Sequence, residues 1–164
     1  MNAKVLILMG SDSDLPVMEG AAKMLDEFGI SYHMTVSSAH RTPDRTLKLV
    51  KDAEKSGVRV IIAGAGAAAH LAGVVASHTT LPVIGVPIDS SPLHGIDALY
   101  STVQMPPGIP VATMAVGKAG AKNAAIFTAQ IIGLNDPAVA AALKDQKKKM
   151  AEEVVKKAKK VEGK

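Results

Sequence analysis

The chain has 164 residues, of which 48% are hydrophobic, and this length is sufficient for one domain with a substantial buried core. It contains no cysteine, which excludes disulfides, thiolate nucleophiles and cysteine-ligated metals and fits a reducing compartment, so we expect a cytoplasmic protein. Much of the positive charge lies near the C-terminus, and 2 Tyr, 2 Phe and no Trp offer little surface for stacking bases, so we expect no nucleic-acid partner.

Two apolar stretches of the sequence are too short or too interrupted to be membrane or targeting segments. The N-terminal run MNAKVLILMG is too short for the apolar region of a signal peptide and leads directly into SDSD. The stretch VIIAGAGAAAHLAGVVA is interrupted by His70 and three glycines, and it is shorter than the roughly 20 residues that a membrane-spanning helix needs. We expect no membrane span.

Apolar runs and helical patterns alternate from the N-terminus onward. Residues 4–9 (KVLILM) form a continuous apolar run, which is typical of a strand buried on both faces. Apolar residues then recur at helical spacing over 15–28, and Gly29 is a stop signal. Residues 31–38 predict a second strand with alternating apolar positions, and residues 43–56 predict a second helix.

The second half of the chain continues the alternation. Strands are predicted at 58–64, 81–87 and 109–116, and helices at 121–133 and at 137–161, the last with Asp136 as its cap. The alternation predicts a three-layer α/β domain with a mainly parallel sheet and right-handed crossovers. We expect a single domain over residues 1–164, with its core at about 4–134 and a long C-terminal helix at about 137–161.

The C-terminal helix carries a narrow apolar stripe, and its lysines lie elsewhere. The pattern is typical of a solvated helix, but a thin stripe on so long a helix also fits contact with a neighbouring subunit. Its members are Leu143, Met150, Val154 and Ala158.

The loops after the strands are the candidates for chemistry, because open α/β sheets bind ligands beyond the carboxyl ends of their strands. Four consecutive loops there are rich in Gly, Ser, Asp or His. They are GSDSD (10–14), SSAHRTP (37–43), GAGAAAH (64–70) and GVPIDSSPLHG (85–95).

The loop GSDSD combines a glycine turn, the hydroxyls of Ser11 and Ser13 and the start of a helix, which together suit a phosphate group. Its carboxylates have two interpretations. Either Asp12 or Asp14 caps the helix, or a carboxylate accepts hydrogen bonds from a ribose diol. A phosphate beside these carboxylates needs a cation, and Arg41 is the nearest candidate.

The loop GAGAAAHL is weak evidence for a dinucleotide, because Ala69 occupies the third glycine position of the GxGxxG motif and no Walker lysine follows. Gly64 and Gly66 carry no side chain, so a flat ligand can approach the backbone closely. A small planar heterocycle would fit this loop.

Five histidines raise the possibility of a metal site, but their spacing does not match a zinc helix, so we expect no metal. We interpret His33 and His78 as structural residues of a strand and a helix end. His40 differs, because it follows a strand and stands beside Arg41, and imidazole both donates and accepts protons near neutral pH. The alternative is a loop histidine that is hydrogen-bonded to the backbone.

Several of these segments occur in the order and approximate spacing found in a known enzyme family. They are MGSDSD, SAHRTP, AGAGAAAHL, GVP, YSTVQMPPGIPVAT and KNAA. Over about residues 4–134 the chain resembles the class I PurE family, the N5-carboxyaminoimidazole ribonucleotide mutases of purine biosynthesis. The resemblance implies a flavodoxin-like α/β/α domain, a homo-octamer with active sites shared between subunits, and a nucleotide-binding isomerase that uses neither cofactor nor metal.

The resemblance also implies roles for individual residues. His40 is the expected general acid and base of a reaction that moves a carboxylate from an exocyclic nitrogen to a ring carbon through released CO2. Such an intermediate requires an enclosed pocket, of which GAGAAAHL would form one wall. Ser11 and Arg41 are expected near the 5′-phosphate and Asp14 at the ribose. Further candidates for substrate binding are Ser13, Ser38, Gly66 and His70.

Two positions depart from the family's usual GAGGAAHLPG: Ala67 replaces a glycine and Ala72 replaces a proline. We expect Ala67 to open a helix with ordinary dihedral angles, because a positive φ would strain it. Two other functions are considered: a carboxylase that uses CO2 directly, in which lysine commonly follows the histidine, and a non-catalytic nucleotide-binding module on the same fold. Arg41 and the AHL segment favour the mutase.

Overall fold

The computed structural model describes residues 2–163, which form one five-stranded parallel sheet with helices on both faces. The strand order is β2-β1-β3-β4-β5, the order of flavodoxin-like domains. The predicted three-layer architecture is therefore confirmed. The strands are β1 (Val5–Met9), β2 (Tyr32–Val36), β3 (Val60–Gly66), β4 (Val83–Ile88) and β5 (Ala112–Thr113).

Four of the helices agree with the predicted ones to within a few residues. They are α1 (Leu15–Glu27), α2 (Pro43–Lys55), α5 (Lys118–Gly133) and α6 (Pro137–Glu162). Asp136 caps α6 as predicted, since its Oδ1 accepts hydrogen bonds from the backbone N–H groups of Ala138 and Val139 at 3.2 and 3.4 Å. Two short helices, α3 (Leu71–Ala76) and α4 (Ile96–Val103), complete the fold.

The central strands are apolar throughout because both of their faces are covered. In β1, Val5, Ile7 and Met9 belong to the core that includes α1 and α5. Leu6 and Leu8 point the other way, into the core that includes α2 and α3. The continuous apolar run in the sequence thus results from two alternating buried faces.

Small residues let the layers approach closely. A side chain at Gly64 of β3 would collide with the Met18 thioether of α1, and one at Gly85 of β4 would collide with Thr102 of α4. Helices α1 and α5 pack through a similar contact surface of small residues, which includes Gly20 and Ala121. This packing accounts for a core that is rich in glycine and alanine and poor in aromatic residues.

Strand β5 is much shorter than the predicted 109–116. Only Ala112 and Thr113 are assigned to it, and one further bond, from the Met114 N–H to the Gly85 carbonyl at 2.9 Å, extends the contact with β4. Pro110 lacks an N–H group and therefore cannot donate to a ladder. The apolar composition of this segment favoured a strand that starts earlier than Pro110 allows.

Helix α6 leaves the body of the protein after its first turns. Val139 is buried and Leu143 half-buried, whereas every residue from 147 to 163 is exposed. The predicted apolar stripe therefore packs on the core at Leu143, but its members Met150 and Val154 have no cover within residues 2–163. Across that same range no helix combines the length and apolar character that crossing a membrane requires.

The expectation for Ala67 is wrong. Its φ is +50°, in the left-handed region, and helix α3 begins only at Leu71. Between them the chain makes tight turns, in which the N–H groups of Ala69 and His70 donate to the carbonyls of Ala67 and Ala68. An alanine at this position carries the strain that a glycine would avoid.

We predict that Ala67→Gly stabilises the protein by about 0.5 to 1 kcal/mol, because it removes left-handed strain that outweighs the added entropy of the unfolded chain. The measurement is urea denaturation of both proteins. The matched control is Ala68→Gly, at a position without positive φ, which should lower stability. Equal losses in the two variants would contradict the strain at Ala67.

Candidate active site

A cleft of about 300 Å³ lies at the carboxyl edge of the sheet, where the loops after β1 and β3 diverge. This is the switch point of a doubly wound sheet, where such folds bind ligands. Loops after four strands line it. The lining residues are Gly10, Ser11, Ser13, Asp14, Ser38, Ala39, His40, Arg41, Ala65, Gly66, Ala68, Leu71 and Ser90.

Seven of the eight predicted site residues line this cleft, and the eighth, His70, touches one of them. The cleft is open to solvent: His40, Arg41 and His70 are exposed, as are Ala67 and Ala68 of the GAGAAAHL segment. The expected enclosed pocket is therefore not formed by residues 2–163 of a single chain.

The loop after β1 is held by reciprocal hydrogen bonds around Ser11. Ser11 is the cap of a short 3₁₀ helix (Asp12–Asp14), and its side chain accepts a bond from the Ser13 N–H. In return, the Asp14 Oδ2 accepts a bond from the Ser11 N–H at 3.0 Å. The cap is thus a serine, and Asp14 completes a capping box rather than capping α1.

The Asp14 carboxyl group is 4% exposed, and this burial raises its pKa above the usual value. Backbone hydrogen bonds from Ser11 and Gly10 oppose the shift, and the nearby Asp12 carboxylate adds to it. Asp14 lines the cleft, and a carboxylate has enough lone pairs to accept a further bond from a ligand hydroxyl.

The loop after β2 is braced by its own polar side chains. The Ser38 N–H donates to the Thr42 Oγ1 at 3.1 Å, and the Thr42 hydroxyl lies 3.0 Å from the Ser38 carbonyl oxygen. The Arg41 N–H donates to the Ser38 Oγ at 3.2 Å. Thr42 therefore stabilises the loop, and its side chain does not cap α2. These bonds fix the direction in which His40 and Arg41 leave the backbone.

His40 contacts a second histidine from another loop. Its Nε2 lies 2.8 Å from the Nδ1 of His70, and the two rings are nearly perpendicular at 86°. One nitrogen must donate and the other accept, so the pair fixes the complementary tautomers of both rings. The alternative for His40 was a loop histidine that is hydrogen-bonded to the backbone. In the structure its Nε2 contacts another side chain instead.

Arg41 lies between the first two loops. Its Nη2 donates to the Gly10 carbonyl at 3.4 Å, which places the guanidinium beside the GSDSD loop, as the phosphate interpretation requires. Arg41 lines the cleft, and its other N–H groups are available to bind an anion in two-point contact.

Ser90 was missed by sequence reasoning, although its loop was recognised as following a strand. A side chain at Gly66 would collide with the Ser90 hydroxyl, so glycine is required for this close approach. The pairing of β3 with β4 ends at Gly66 and Ile88, which brings Ser90 to the cleft. The sequence alone does not reveal that β3 pairs with β4, and this pairing is what places Ser90 at the cleft.

His33 and His78 lie away from the cleft, as expected for structural residues: His33 is exposed on β2, and His78 follows α3. Within the part of the chain described, residues 2–163, no three His, Cys, Asp or Glu side chains are grouped closely enough to hold a metal ion.

We predict that Asp14→Asn raises the melting temperature at pH 7. A raised folded pKa means that the folded state binds the proton more tightly than the unfolded state, so Asp14 favours folding most at acid pH. This contribution to stability is lost as the pH rises from 3.8, the pKa of the unfolded chain, through the raised pKa of the folded state. At pH 7 the substitution Asp14→Asn therefore removes the cost of burying a charge. The measurement is thermal denaturation between pH 3 and pH 7.

The advantage of Asp14→Asn should shrink toward pH 3, where the wild-type carboxyl group is itself protonated. The control is Asp12→Asn, which removes a charge from an exposed side chain of the same loop and should have a smaller effect. An advantage that stayed constant across this range would contradict the role of the buried charge.

Comparison with known proteins identifies relatives over nearly the whole chain. Residues 4–153 match the family model described as AIR carboxylase. The chain is 57% identical to the N5-carboxyaminoimidazole ribonucleotide mutase of Thermotoga maritima, over 97% of this chain and 92% of that protein. It is 50% identical to the protein of the same name from Escherichia coli, over 93% and 90%.

A solved structure supports the same relationship. The crystal structure of Treponema denticola PurE superposes with a TM-score of 0.87 at 32% identity, over 95% of this chain and 96% of that one. The match of fold and sequence over most of the chain shows that this protein belongs to the AIR carboxylase family.

Proposed function

We propose that the protein is a mutase of purine biosynthesis that converts N5-carboxyaminoimidazole ribonucleotide to the 4-carboxy isomer. The observation that carries this proposal is the placement of His40 at a switch-point cleft together with Ser11, Asp14 and Arg41. The mutases of Thermotoga maritima and Escherichia coli, at 57% and 50% identity, support the same reaction.

The residues of the cleft suit the parts of such a substrate. Ser11 and Arg41 bind the 5′-phosphate, since a hydroxyl and a guanidinium on adjacent loops offer several donors to one anion. Asp14 accepts hydrogen bonds from the ribose hydroxyls. Ser13 and Ser38 supply further hydroxyls, and Gly66 leaves room for the flat imidazole.

His40 acts as both general acid and general base in this mechanism. As the acid, it protonates the exocyclic nitrogen while the N–C bond of the carbamate breaks and CO2 is released. The electron-rich ring carbon then attacks CO2 and forms the new C–C bond. As the base, His40 removes the proton from that carbon and regains its starting state. The protons balance, and the steps need no cofactor and no metal.

His70 is a positioning residue in this proposal. Its Nδ1 is 2.8 Å from the His40 Nε2, so it selects the tautomer of His40 and holds the ring in a fixed orientation. When substrate binds, the same contact can give way to a bond between His40 and the substrate. A histidine partner suits this exchange because each of its nitrogens can serve as donor or acceptor.

The carboxylase that uses CO2 directly is the nearest alternative function. Arg41, where that class commonly has lysine, favours the mutase, as does the 50 to 57% identity to proteins named as mutases. A non-catalytic nucleotide binder is a second alternative. Measuring turnover before and after replacement of His40 distinguishes it from an enzyme, because a binder has no turnover to lose. We further propose that residues 1–164 form a single domain that works in the cytoplasm.

The protein is proposed to act as a homo-oligomer, with the octamer implied by its resemblance to class I PurE. Helix α4 presents an apolar face to solvent, on which Ile96, Tyr100 and Val103 are 57, 61 and 47% exposed. The adjoining motif YSTVQMPPGIPVAT contributes none of the lining of the cleft, as far as residues 2–163 show. Packing of this region against a neighbour would cover the apolar face and enclose a neighbouring cleft.

We predict that His40→Asn lowers kcat by about 10²- to 10⁴-fold, because asparagine preserves a polar side chain but cannot transfer a proton. The measurement is conversion of N5-carboxyaminoimidazole ribonucleotide without ATP, in parallel with aminoimidazole ribonucleotide plus bicarbonate. The matched control is His78→Asn, outside the cleft, which should retain full activity.

Conversion of the carbamate by the wild-type protein, with loss of that conversion in His40→Asn, supports the mutase. Turnover from bicarbonate alone would identify a carboxylase, and no turnover from either substrate would leave only a binding function. Substrate binding to His40→Asn, measured by calorimetry, separates a lost catalytic step from a lost binding site.

We predict that Tyr100→Asp shifts the protein to smaller assemblies, because it places a charge at the centre of the exposed α4 face. Light scattering coupled to size-exclusion chromatography measures the mass. Lys51→Glu, on the exposed side of α2, controls for a change of charge alone. A wild-type monomer, or an unchanged assembly in Tyr100→Asp, would contradict this interface.

A further inference from the structure

A second cavity lies at the opposite edge of the sheet from the candidate active site. Its volume is about 350 Å³, close to the 300 Å³ of the cleft around His40. It forms where the chain enters β1, β3 and β4 and where α5 passes into α6, so it is built from the ends of five elements. The two cavities share no lining residue.

One side of this cavity is apolar. Leu81, Pro82, Ile131 and Leu134 contribute to its walls. Leu134 is 81% exposed, the highest value among the exposed large hydrophobic residues of 2–163. An aliphatic wall that is open to solvent at the mouth of a concave site favours a ligand with an apolar body.

The charged groups of the cavity leave one cation without a partner. The Lys4 Nζ lies 2.9 Å from the Asp136 Oδ2, and the other Asp136 oxygen caps α6. The hydrogen bond from Lys4 holds the pKa of Asp136 below its usual value, so this carboxylate is ionised near pH 7, and the ion pair with Lys4 balances its charge. The Arg59 guanidinium makes no hydrogen bond or ion pair with any other residue between 2 and 163.

We propose that this cavity binds a small amphipathic monocarboxylate. Its carboxylate would form a two-point hydrogen bond with the Arg59 guanidinium, and its apolar body would cover Leu81 and Leu134. The volume is at the small end of ligand sites, which excludes a nucleotide as large as a dinucleotide cofactor. The single uncompensated cation, Arg59, selects a ligand with one negative charge.

The test is saturation-transfer NMR on the full chain with phenylacetate and with phenylacetamide, which has nearly the same shape but no charge. Phenylacetate is expected to bind with a Kd in the millimolar range, and phenylacetamide about tenfold more weakly. Arg59→Gln should weaken phenylacetate binding about tenfold and leave phenylacetamide unchanged. Leu134→Ser should weaken both ligands, because it removes apolar wall.

Two controls separate this site from others. Lys51→Gln removes an exposed cation from α2 and should have no effect, and His40→Asn should leave phenylacetate binding intact because the cleft is distinct. The proposal is overturned by no detectable binding at roughly 10 mM phenylacetate, by equal binding of the amide, by unchanged affinity in Arg59→Gln, or by loss of binding in His40→Asn. None of these outcomes depends on catalytic activity.

Discussion

The candidate active site depends on the parallel pairing of β1 with both β2 and β3. Met9, the last residue of β1, is in register with Val36 on one side and Gly64 on the other. Two hydrogen bonds continue this register beyond the strand, from the Gly10 N–H to the Gly64 carbonyl at 3.1 Å and from the Ser37 N–H to the Met9 carbonyl at 2.8 Å. The loops after β1 and β2 and the end of β3, which carry Ser11, His40 and Gly66, therefore lie at one level and line the same cleft.

Two features that cost stability lie around this cleft. The Asp14 carboxyl group is buried next to Asp12, and Ala67 adopts a positive φ in the loop between β3 and α3. Away from the cleft, the described layers are closely packed through small residues such as Gly64 and Gly85. Strained and charged residues at the edge of a closely packed domain are expected where those residues are selected for ligand binding rather than for folding.

The sequence predicted the architecture well because its strands are buried on both faces and its long helices have clear start and stop residues. Helix α4 and the true start of α3 were not predicted, since helices of 8 and 6 residues leave little periodicity to recognise. The contact between His40 and His70 joins residues 30 positions apart, and only strand order brings their loops together. The enclosed pocket that the sequence led us to expect is not formed within residues 2–163 of one chain, in which the apolar face of α4 is also uncovered.

The central claim is that the carboxyl group is moved within one substrate molecule at His40. The most direct measurement is conversion of unlabelled N5-carboxyaminoimidazole ribonucleotide in buffer that contains ¹³C-bicarbonate, with mass spectrometry of the product at early times. Intramolecular transfer predicts a product with almost no ¹³C in its new carboxyl group, because the released CO2 is recaptured before it exchanges with solvent. A product that carries the isotopic composition of the buffer would contradict the account.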